Sequence, residues 1–208
     1  MTAKYAPLIG INYKADASNE LHGCVNDIYA IKDYLLSKRN YSASDVVCLI
    51  EGDANRNTIL LEFSQLMLKS HHASENWFHY SGHGSSTYDY SGDEVDGRDE
   101  TIIPFDYQRA GAITDDVLHS YLQYISNRCK AFFIMDCCHS GTIFDLQFSF
   151  ENGKLEERKD YRQGGSGDII CISGCRDTEV SADALISSRF QGACTASSTM
   201  RAAWQERL

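Results

Sequence analysis

At 208 residues the chain is long enough to bury one hydrophobic core, and we expect a single domain. Hydrophobic residues make up 43% and charged residues 23%, which is typical of a globular protein. The formal net charge of −10 argues against nucleic acid or a membrane surface as a partner, because binders of either usually carry a basic patch. The sequence shows no signal-peptide pattern and no apolar run of about 18 residues, so we expect a cytoplasmic protein.

Strand-like and helix-like patterns alternate along the chain. Short apolar runs predict buried strands, and apolar residues that recur every three or four positions predict helices. In chain order the predicted elements are a strand at 5–13, a helix at 23–38, a strand at 45–50, a helix from 57 or 58 to 68, a strand at 76–80, a short strand at 101–105, a helix at 117–125, and strands at 131–135 and 168–173. This alternation indicates an α/β fold of three layers, with a mainly parallel central sheet and helices on both faces.

Two segments show neither the apolar run of a buried strand nor the apolar spacing of a helix, and they are predicted to be loops. Residues 85–100 are polar and acidic, and residues 146–167 are charged and rich in glycine. A last amphipathic piece is expected to run to Leu208.

Eight cysteines raise the question of disulfide bonds or a zinc site. Their spacing shows no compact disulfide framework, and Cys48 and Cys171 lie within apolar runs, so buried thiols in a reducing compartment fit better. Structural zinc is disfavoured because Cys137, Cys138 and His139 are adjacent in sequence, whereas zinc ligands are spaced by about two to four residues.

Two of the predicted strands end in residues suited to nucleophilic catalysis. The first leads into SGHG at 81–84, and the second leads into DCCHSG at 136–141. In parallel sheets, ligands bind beyond the carboxyl ends of the strands. A thiol and an imidazole at such an edge indicate a cysteine nucleophile with a histidine base.

These motifs resemble those of type I metacaspases, which are caspase-like cysteine peptidases. The interval of 55 residues from His83 to Cys138 is similar to the caspase-type spacing of about 50. Further motifs match in the same order: LIGINY at 8–13, LHGCVND at 21–27, GDE at 92–94, ITDD at 113–116 and SGCRD at 173–177. The resemblance extends from about residue 7 to about residue 184 and implies a caspase-like three-layer sandwich.

The resemblance also implies how the single domain is organised. Residues 1–145 correspond to a p20-like catalytic region, 146–167 to a flexible linker, and 168–208 to a p10-like region. Residues 194–208 match the family poorly, so we expect a shortened p10 part whose sheet a partner could complete.

The nucleophile is expected to be Cys138 rather than Cys137. Successive side chains of an extended segment point to opposite faces, so only one of the two thiols can face His83, and the family motif selects Cys138. His83 would accept the thiol proton and later protonate the leaving amine. The amides of Gly84 and Cys138 would bind the oxyanion. No third member of the site is evident from the sequence, and a dyad does not need one.

The resemblance places Cys24, Asp27, Ser81 and Asp136 in the pocket for the substrate's P1 residue. Two carboxylates there would favour Arg or Lys, and Arg in particular because of its planar fork. Asp27 has an alternative interpretation, since an acidic residue in the first turn of a helix is stabilised by the helix dipole.

A calcium site is likewise implied by the resemblance, with Asp99, Asp115, Asp116 and Asp145 as ligands. Carboxylate oxygens suit Ca²⁺, but no EF-hand spacing is present. A solvated acidic loop explains Asp99 equally well, and charge at a helix N-terminus explains Asp115 and Asp116.

The linker at 146–167 is also a candidate for self-cleavage, because an enzyme that cuts after basic residues could accept Lys154, Arg158, Lys159 or Arg162. An ordinary surface loop is the alternative. The sequence as a whole therefore predicts a calcium-dependent endopeptidase that cleaves peptides and proteins after Arg or Lys. The competing hypothesis is a weak or inactive relative that acts as a scaffold or regulator.

Overall fold

A computed structural model of the chain describes residues 3–90, 92, 97–151, 154–158, 161, 167–175, 183–186, 189–192 and 194–195. Within them, the helices are α1 (Cys24–Lys38), α2 (Arg56–Ser70), α3 (Tyr107–Ala110) and α4 (Asp115–Leu122). The strands are β1 (Ala3–Gly10), β2 (Val46–Ile50), β3 (Ala73–Ser81), β4 (Gly84–Tyr88), β5 (Arg98–Ile102), β6 (Ile113–Thr114), β7 (Lys130–Asp136), β8 (Phe148–Glu151), β9 (Lys154–Glu157), β10 (Asp168–Ser173), β11 (Asp183–Ile186) and β12 (Arg189–Gly192). The expected amphipathic piece that runs to Leu208 lies beyond residue 195, outside the described residues.

Five strands form the central sheet in the order β10-β7-β3-β1-β2, and all four pairings are parallel. Because parallel neighbours need crossover connections, helices cover both faces. The predicted α/β fold with a mainly parallel sheet and three layers is confirmed.

The two faces of the sheet belong to two separate hydrophobic clusters. Alternation along each strand sends successive side chains to opposite faces. On one face α1 packs against the sheet, and this cluster includes Leu8, Ile28, Ile31, Trp77 and Ile134. On the other face α2 and α4 pack, and this cluster includes Ile9, Phe63, Phe78, Leu118 and Phe133.

The two predicted loops contain strands. In the 85–100 segment, β4 and β5 pair antiparallel, and β6 joins β5 to make a three-stranded sheet. In the 146–167 segment, β8 and β9 form an antiparallel pair. The prediction of a loop fails for β4 and the start of β5 because their residues are mostly polar, so no apolar alternation marks them.

β10 is an edge of the central sheet among the described strands, and Ile170 and Ile172 are partly exposed on it. None of the described helices is both long enough and apolar enough to cross a membrane.

Candidate active site

β3 and β7 are neighbouring parallel strands that end at the same edge of the sheet. Ser81, the last residue of β3, pairs with Asp136, the last residue of β7. His83 and Cys138 each lie two residues further on, so the two motifs leave the sheet in register. The structure therefore brings the predicted base and the predicted nucleophile to one edge of the sheet, on the segments that follow two neighbouring strands.

The two adjacent cysteines have different environments. Cys137 is 1% exposed and belongs to the core cluster on the α2 and α4 face. Burial, and next to it the charge of Asp136, raises the pKa of the Cys137 thiol well above its ordinary value. Cys138 is half-buried. An inert thiol at 137 beside an accessible thiol at 138 agrees with the expected assignment of the nucleophile.

The imidazole of His83 is held by a main-chain carbonyl. Its Nε2 atom lies 2.7 Å from the carbonyl oxygen of Asn19. A carbonyl can only accept a hydrogen bond, so this contact requires the proton on Nε2. In the neutral ring, Nδ1 is then the atom that can accept a proton from a thiol.

Two tyrosines fix the position of His83. The Tyr13 ring lies 4.7 Å from the His83 ring, centroid to centroid, and its hydroxyl accepts a hydrogen bond from the His83 amide at 3.1 Å. The Tyr80 hydroxyl donates to the His83 carbonyl oxygen at 2.8 Å. Both main-chain groups of His83 are therefore bonded to side chains that burial holds rigid.

Gly84 lies against Cys138, the predicted nucleophile. A Cβ atom at position 84 would come within 2.0 Å of the Cys138 carbonyl oxygen, so only glycine fits here. Gly84 faces Ile102 across β4 and β5, and the adjacent hydrogen bond runs from the Ile103 amide to the His83 oxygen. Gly84 and Ile102 are thus a non-hydrogen-bonded pair, and the Gly84 N–H points away from β5.

The residues expected to bind P1 converge on the α1 face of the same edge. The hydroxyl of Ser81 donates to Asp27 at 2.7 Å, and Asp27 also accepts the amide of Gly192 at 3.1 Å. Asp136 accepts the amide of Thr195 at 2.6 Å. Both carboxylates are buried, and Cys24 lies one turn before Asp27 on α1. Amide donors are neutral, so these bonds leave the negative charge of the carboxylates in place.

His79 is fully buried on β3, two residues before Ser81. Burial lowers the pKa of His79, and the charge of Asp136 opposes this shift only in part. The ring is therefore neutral at physiological pH and adds no positive charge beneath the two carboxylates.

An acidic cluster lies beside this edge, between β4, β5 and the start of α4. Burial, followed by the charges of Asp115, Asp116 and Asp89, raises the pKa of Asp99 to about 6. The Asp99 Oδ1 atom is buried without a hydrogen-bond partner. Burial also raises the pKa of Asp115 and of Asp116. The negative charges of these neighbouring carboxylates therefore disfavour one another's ionised forms.

Asp115 also stabilises the start of its own helix. Its two carboxylate oxygens accept the amides of Glu100 at 2.9 Å and of Asp116 at 2.7 Å. These bonds support the helix-terminus interpretation of Asp115, and its role as a calcium ligand stays a prediction. Among the described residues, no group of three or more His, Cys, Asp and Glu side chains is already arranged as a metal shell.

The fourth expected ligand has a different neighbour. Asp145 is fully buried and forms an ion pair with Arg158 at 3.8 Å. The charges that act on Asp99 are those of Asp115, Asp116 and Asp89. The structure therefore brings three of the four expected ligands together, adds Asp89 to them, and places Asp145 against a basic side chain.

The basic residues considered for self-cleavage have unequal exposure. Lys154 is exposed on β9, and the side chain of Arg158 is 11% exposed because it lies against Asp145. Lys159 and Arg162 lie outside the described residues.

A family profile described as "Metacaspase, peptidase C14 domain" matches residues 4–147, which include both motifs of this edge. The chain belongs to the metacaspase family. Metacaspase-1 of Meyerozyma guilliermondii is 35% identical over 244 residues, with 91% of this chain and 59% of that protein covered. Metacaspase-2 of Arabidopsis thaliana is 34% identical over 210 residues, with 92% of this chain and 50% of that protein covered.

This metacaspase chain thus spans between half and three fifths of the length of these two relatives. A solved structure of a protein from Geobacter sulfurreducens superposes with a TM-score of 0.65 and covers 99% of this chain and 83% of that chain. At 23% identity this likeness shows the fold alone.

Sequence reasoning missed three parts of this metacaspase site. The group that orients His83 is the main-chain carbonyl of Asn19, and a carbonyl has no signature in a sequence. The sequence identifies Tyr13 only as part of the LIGINY motif. Its hydrogen bond to His83 depends on β1 lying beside β3. Asp89 lies in the acidic loop, where its place in the cluster depends on the unpredicted β4 and β5 pairing.

Proposed function

We propose that the chain is a cysteine endopeptidase that uses Cys138 and His83 to cleave peptides after Arg or Lys, and that calcium activates it. One observation carries this proposal. Ser81 and Asp136 are paired at the ends of β3 and β7, and His83 and Cys138 each lie two residues beyond that pair. A scaffold protein has no need to orient the imidazole through Asn19 as well.

In the acylation step, His83 accepts the proton of the Cys138 thiol at Nδ1. The Cys138 sulfur attacks the carbonyl carbon of the substrate, and His83 then returns the proton to the leaving amine. Water attacks the resulting thioester, His83 accepts a proton from that water, and the free thiol and the carboxyl product are released. The Asn19 carbonyl accepts the Nε2 proton, which leaves Nδ1 as the atom that takes up and gives back the proton.

The oxyanion would be bound by main-chain amides. The Gly84 N–H points away from β5, and Gly84 packs directly against Cys138. The Gly84 amide is therefore one donor, and the Cys138 amide is the other. Donors held by a sheet need no reorganisation during the reaction, which is how such sites lower the barrier.

The preference for Arg or Lys follows from Asp27 and Asp136. Both carboxylates are buried at the same edge as Cys138, and Ser81 donates to one of them. A basic P1 side chain would be attracted by their charge and a P1 carboxylate would be repelled. The amides of Gly192 and Thr195 now occupy these oxygens, so a guanidinium must displace them or bind beyond them.

A calcium ion fits the acidic cluster by its chemistry. Asp99 has a buried oxygen without a partner, and its pKa is raised partly by neighbouring negative charges. Asp99, Asp115 and Asp116 would hold the ion, and Asp145 would join them if Arg158 released it. When bound, the ion supplies positive charge that links β5 to the start of α4. The same edge of the molecule carries Gly84, so this link would stabilise the catalytic edge.

The direct experiment is hydrolysis of a fluorogenic peptide that ends in Arg, with and without calcium. We expect turnover in calcium that is lost in Cys138→Ala and in His83→Ala and is retained in Cys137→Ala. A matched peptide that ends in Asp should be cleaved at least about 100-fold more slowly, because a buried like charge costs several kcal/mol.

Other outcomes identify other functions. A folded protein without turnover under either condition would indicate a scaffold or regulatory protein. Turnover without preference for a basic P1 residue would indicate a different thiol hydrolase on the same sheet.

A further inference from the structure

A second thiol lies beside the proposed nucleophile. Cys175 follows β10 just as Cys137 and Cys138 follow β7, and the two strands are parallel neighbours whose last paired residues are Ser173 and Met135. Neighbouring strands lie about 4.8 Å apart, and a disulfide needs Cα atoms about 4.4 to 6.8 Å apart. Two residues beyond that last pair, Cys175 is level with Cys137, and the next residue along is Cys138. The charge of Cys138 is among the causes that raise the pKa of Cys175, so the two thiols are close in space.

Hydrogen bonds hold the segment after β10 against the nucleophile loop. The thiol of Cys175 donates to the Cys137 carbonyl oxygen at 3.1 Å, and that carbonyl belongs to the peptide bond with Cys138. The Gly174 amide donates to the Met135 oxygen at 2.8 Å, and the Ser173 hydroxyl donates to the Ser140 oxygen at 2.6 Å. The sulfur of Cys175 is thus fixed next to the residue that carries the proposed nucleophile.

The chemistry of the neighbouring thiols singles out Cys175. Cys137 points into the core, and burial raises its pKa well above the ordinary value, so it is a poor partner for its neighbour in sequence. Burial also raises the pKa of Cys175, but the amides of Ser140 and His139 act against that shift. Those amides would stabilise a thiolate at Cys175 once it forms.

We propose that Cys175 is a resolving cysteine, which forms a disulfide with Cys138 when a peroxide oxidises the nucleophile. In the first step the Cys138 thiolate attacks a peroxide oxygen, which forms the Cys138 sulfenic acid and releases hydroxide. In the second step the Cys175 thiolate attacks the sulfur of the sulfenic acid, the S–S bond forms, and hydroxide leaves and takes up a proton as water. The two thiols are oxidised by two electrons, and the peroxide is reduced.

The disulfide protects the nucleophile against irreversible oxidation. A sulfenic acid that is not captured is oxidised further to sulfinic and sulfonic acids, which thiols cannot reduce. A Cys138–Cys175 disulfide stops this sequence and returns to two thiols when a reductant is added. Loss and recovery of peptidase activity rest on the proposed function, whereas the disulfide itself can be detected without any assay of activity.

The test treats the reduced 208-residue chain with hydrogen peroxide, alkylates the remaining thiols, and maps the peptides by mass spectrometry without reduction. We expect a linked Cys138–Cys175 peptide with a mass about 2 Da below the sum of its two parts, since two hydrogens are lost. In Cys175→Ser, which keeps a hydroxyl donor to Cys137, the linked peptide should vanish and sulfonic acid should accumulate at Cys138. Cys48→Ser, on the opposite edge of the sheet, is the matched control and should behave as the wild type.

Three results would overturn the proposal. These are a disulfide from Cys138 to Cys137 or to Cys24, no linked peptide at all, and sulfonic acid at Cys138 to the same extent in the wild type and in Cys175→Ser. If the disulfide forms but untreated protein has no peptidase activity, the redox inference stands and the proposed function fails.

Discussion

Individual residues around His83 hold it so firmly that its orientation is set before any substrate binds. Asn19 fixes the proton on Nε2, Tyr13 accepts the main-chain amide, and Tyr80 donates to the main-chain carbonyl. Such contacts would position the proposed base without touching a substrate, so their loss should slow catalysis more than it weakens binding.

Tyr13→Phe tests this positioning. The substitution keeps the ring beside His83 but leaves the His83 amide without its acceptor. We expect kcat to fall about ten-fold while KM changes less than two-fold, because misplacement of a catalytic group affects the transition state most. Steady-state kinetics on the Arg peptide measure both constants. Tyr124→Phe, at an exposed position, is the control. A rise in KM alone for Tyr13→Phe would contradict the positioning role.

At the scale of elements, β4, β5 and the start of α4 come together through an acidic cluster that weakens the fold at neutral pH. The pKa of Asp99 is raised from 3.8 to about 6 in the folded protein. Between these values the folded state binds the proton more tightly than the unfolded state does. The stabilisation is therefore complete below about pH 4 and is lost as the pH rises through about 6.

Melting temperatures without calcium should accordingly fall as the pH is raised from 5 to 7.5, and Asp99→Asn should remove that part of the fall. A change of about 2–4 °C per kcal/mol is expected for a chain of this size. Calcium should raise the melting temperature of the wild type at pH 7.5 and should do so less in Asp99→Asn. Asp33→Asn, on the exposed side of α1, is the control. Equal calcium stabilisation in both variants would show that Asp99 is not a ligand.

The ion pair of Asp145 with Arg158 ties the loop after Cys138 to the end of the β8 and β9 pair. If Asp145 is a calcium ligand, Arg158 competes with the ion for it. Arg158→Gln in a Cys138→Ala background should then tighten calcium binding by about three- to ten-fold, which corresponds to about 1 kcal/mol. Titration calorimetry gives the affinity. An unchanged affinity would remove Asp145 from the site.

Lys154→Gln is the control for that measurement. Lys154 is exposed on β9, and its substitution removes one positive charge from the same part of the chain. A similar gain in both variants would point to a general effect of net charge rather than to competition at Asp145.

Some elements can be predicted from the sequence alone and others cannot. β7 and β10 were predicted within one residue because they are short apolar runs with polar residues on either side. β4 was missed because Ser85, Ser86 and Thr87 are polar, and its strand conformation comes from pairing with β5. The motifs at His83 and Cys138 can be recognised in the sequence because each is a polar segment directly after an apolar strand. Their juxtaposition depends on which strands are neighbours, which no local pattern contains.

At the scale of the whole molecule, one aromatic cluster joins the core to the loop that follows Cys138. Phe133 on β7 is fully buried, and its ring centroid lies 4.7 Å from that of Phe144, six residues beyond Cys138. Phe63 of α2 packs on both rings. The position of the loop that follows Cys138 is therefore tied to the global fold.

Phe133→Ala should lower the free energy of unfolding by about 3–5 kcal/mol, because a large buried ring is removed and a cavity remains. Urea denaturation measures the loss. Phe150→Ala removes a ring that is 72% exposed on β8, and it should change stability by less than about 0.5 kcal/mol. Similar losses in the two variants would contradict the assignment of the core.

The central claim, that His83 activates Cys138, is tested most directly by the rate at which each cysteine is alkylated. Brief treatment of the folded protein with iodoacetamide at neutral pH, followed by peptide mass spectrometry, gives a separate rate for each thiol. We predict that Cys138 reacts fastest and that His83→Ala slows it at least about ten-fold while Cys48 is unchanged, since the thiolate is the reactive species. A Cys138 rate that is the same with and without the His83 imidazole would contradict the account.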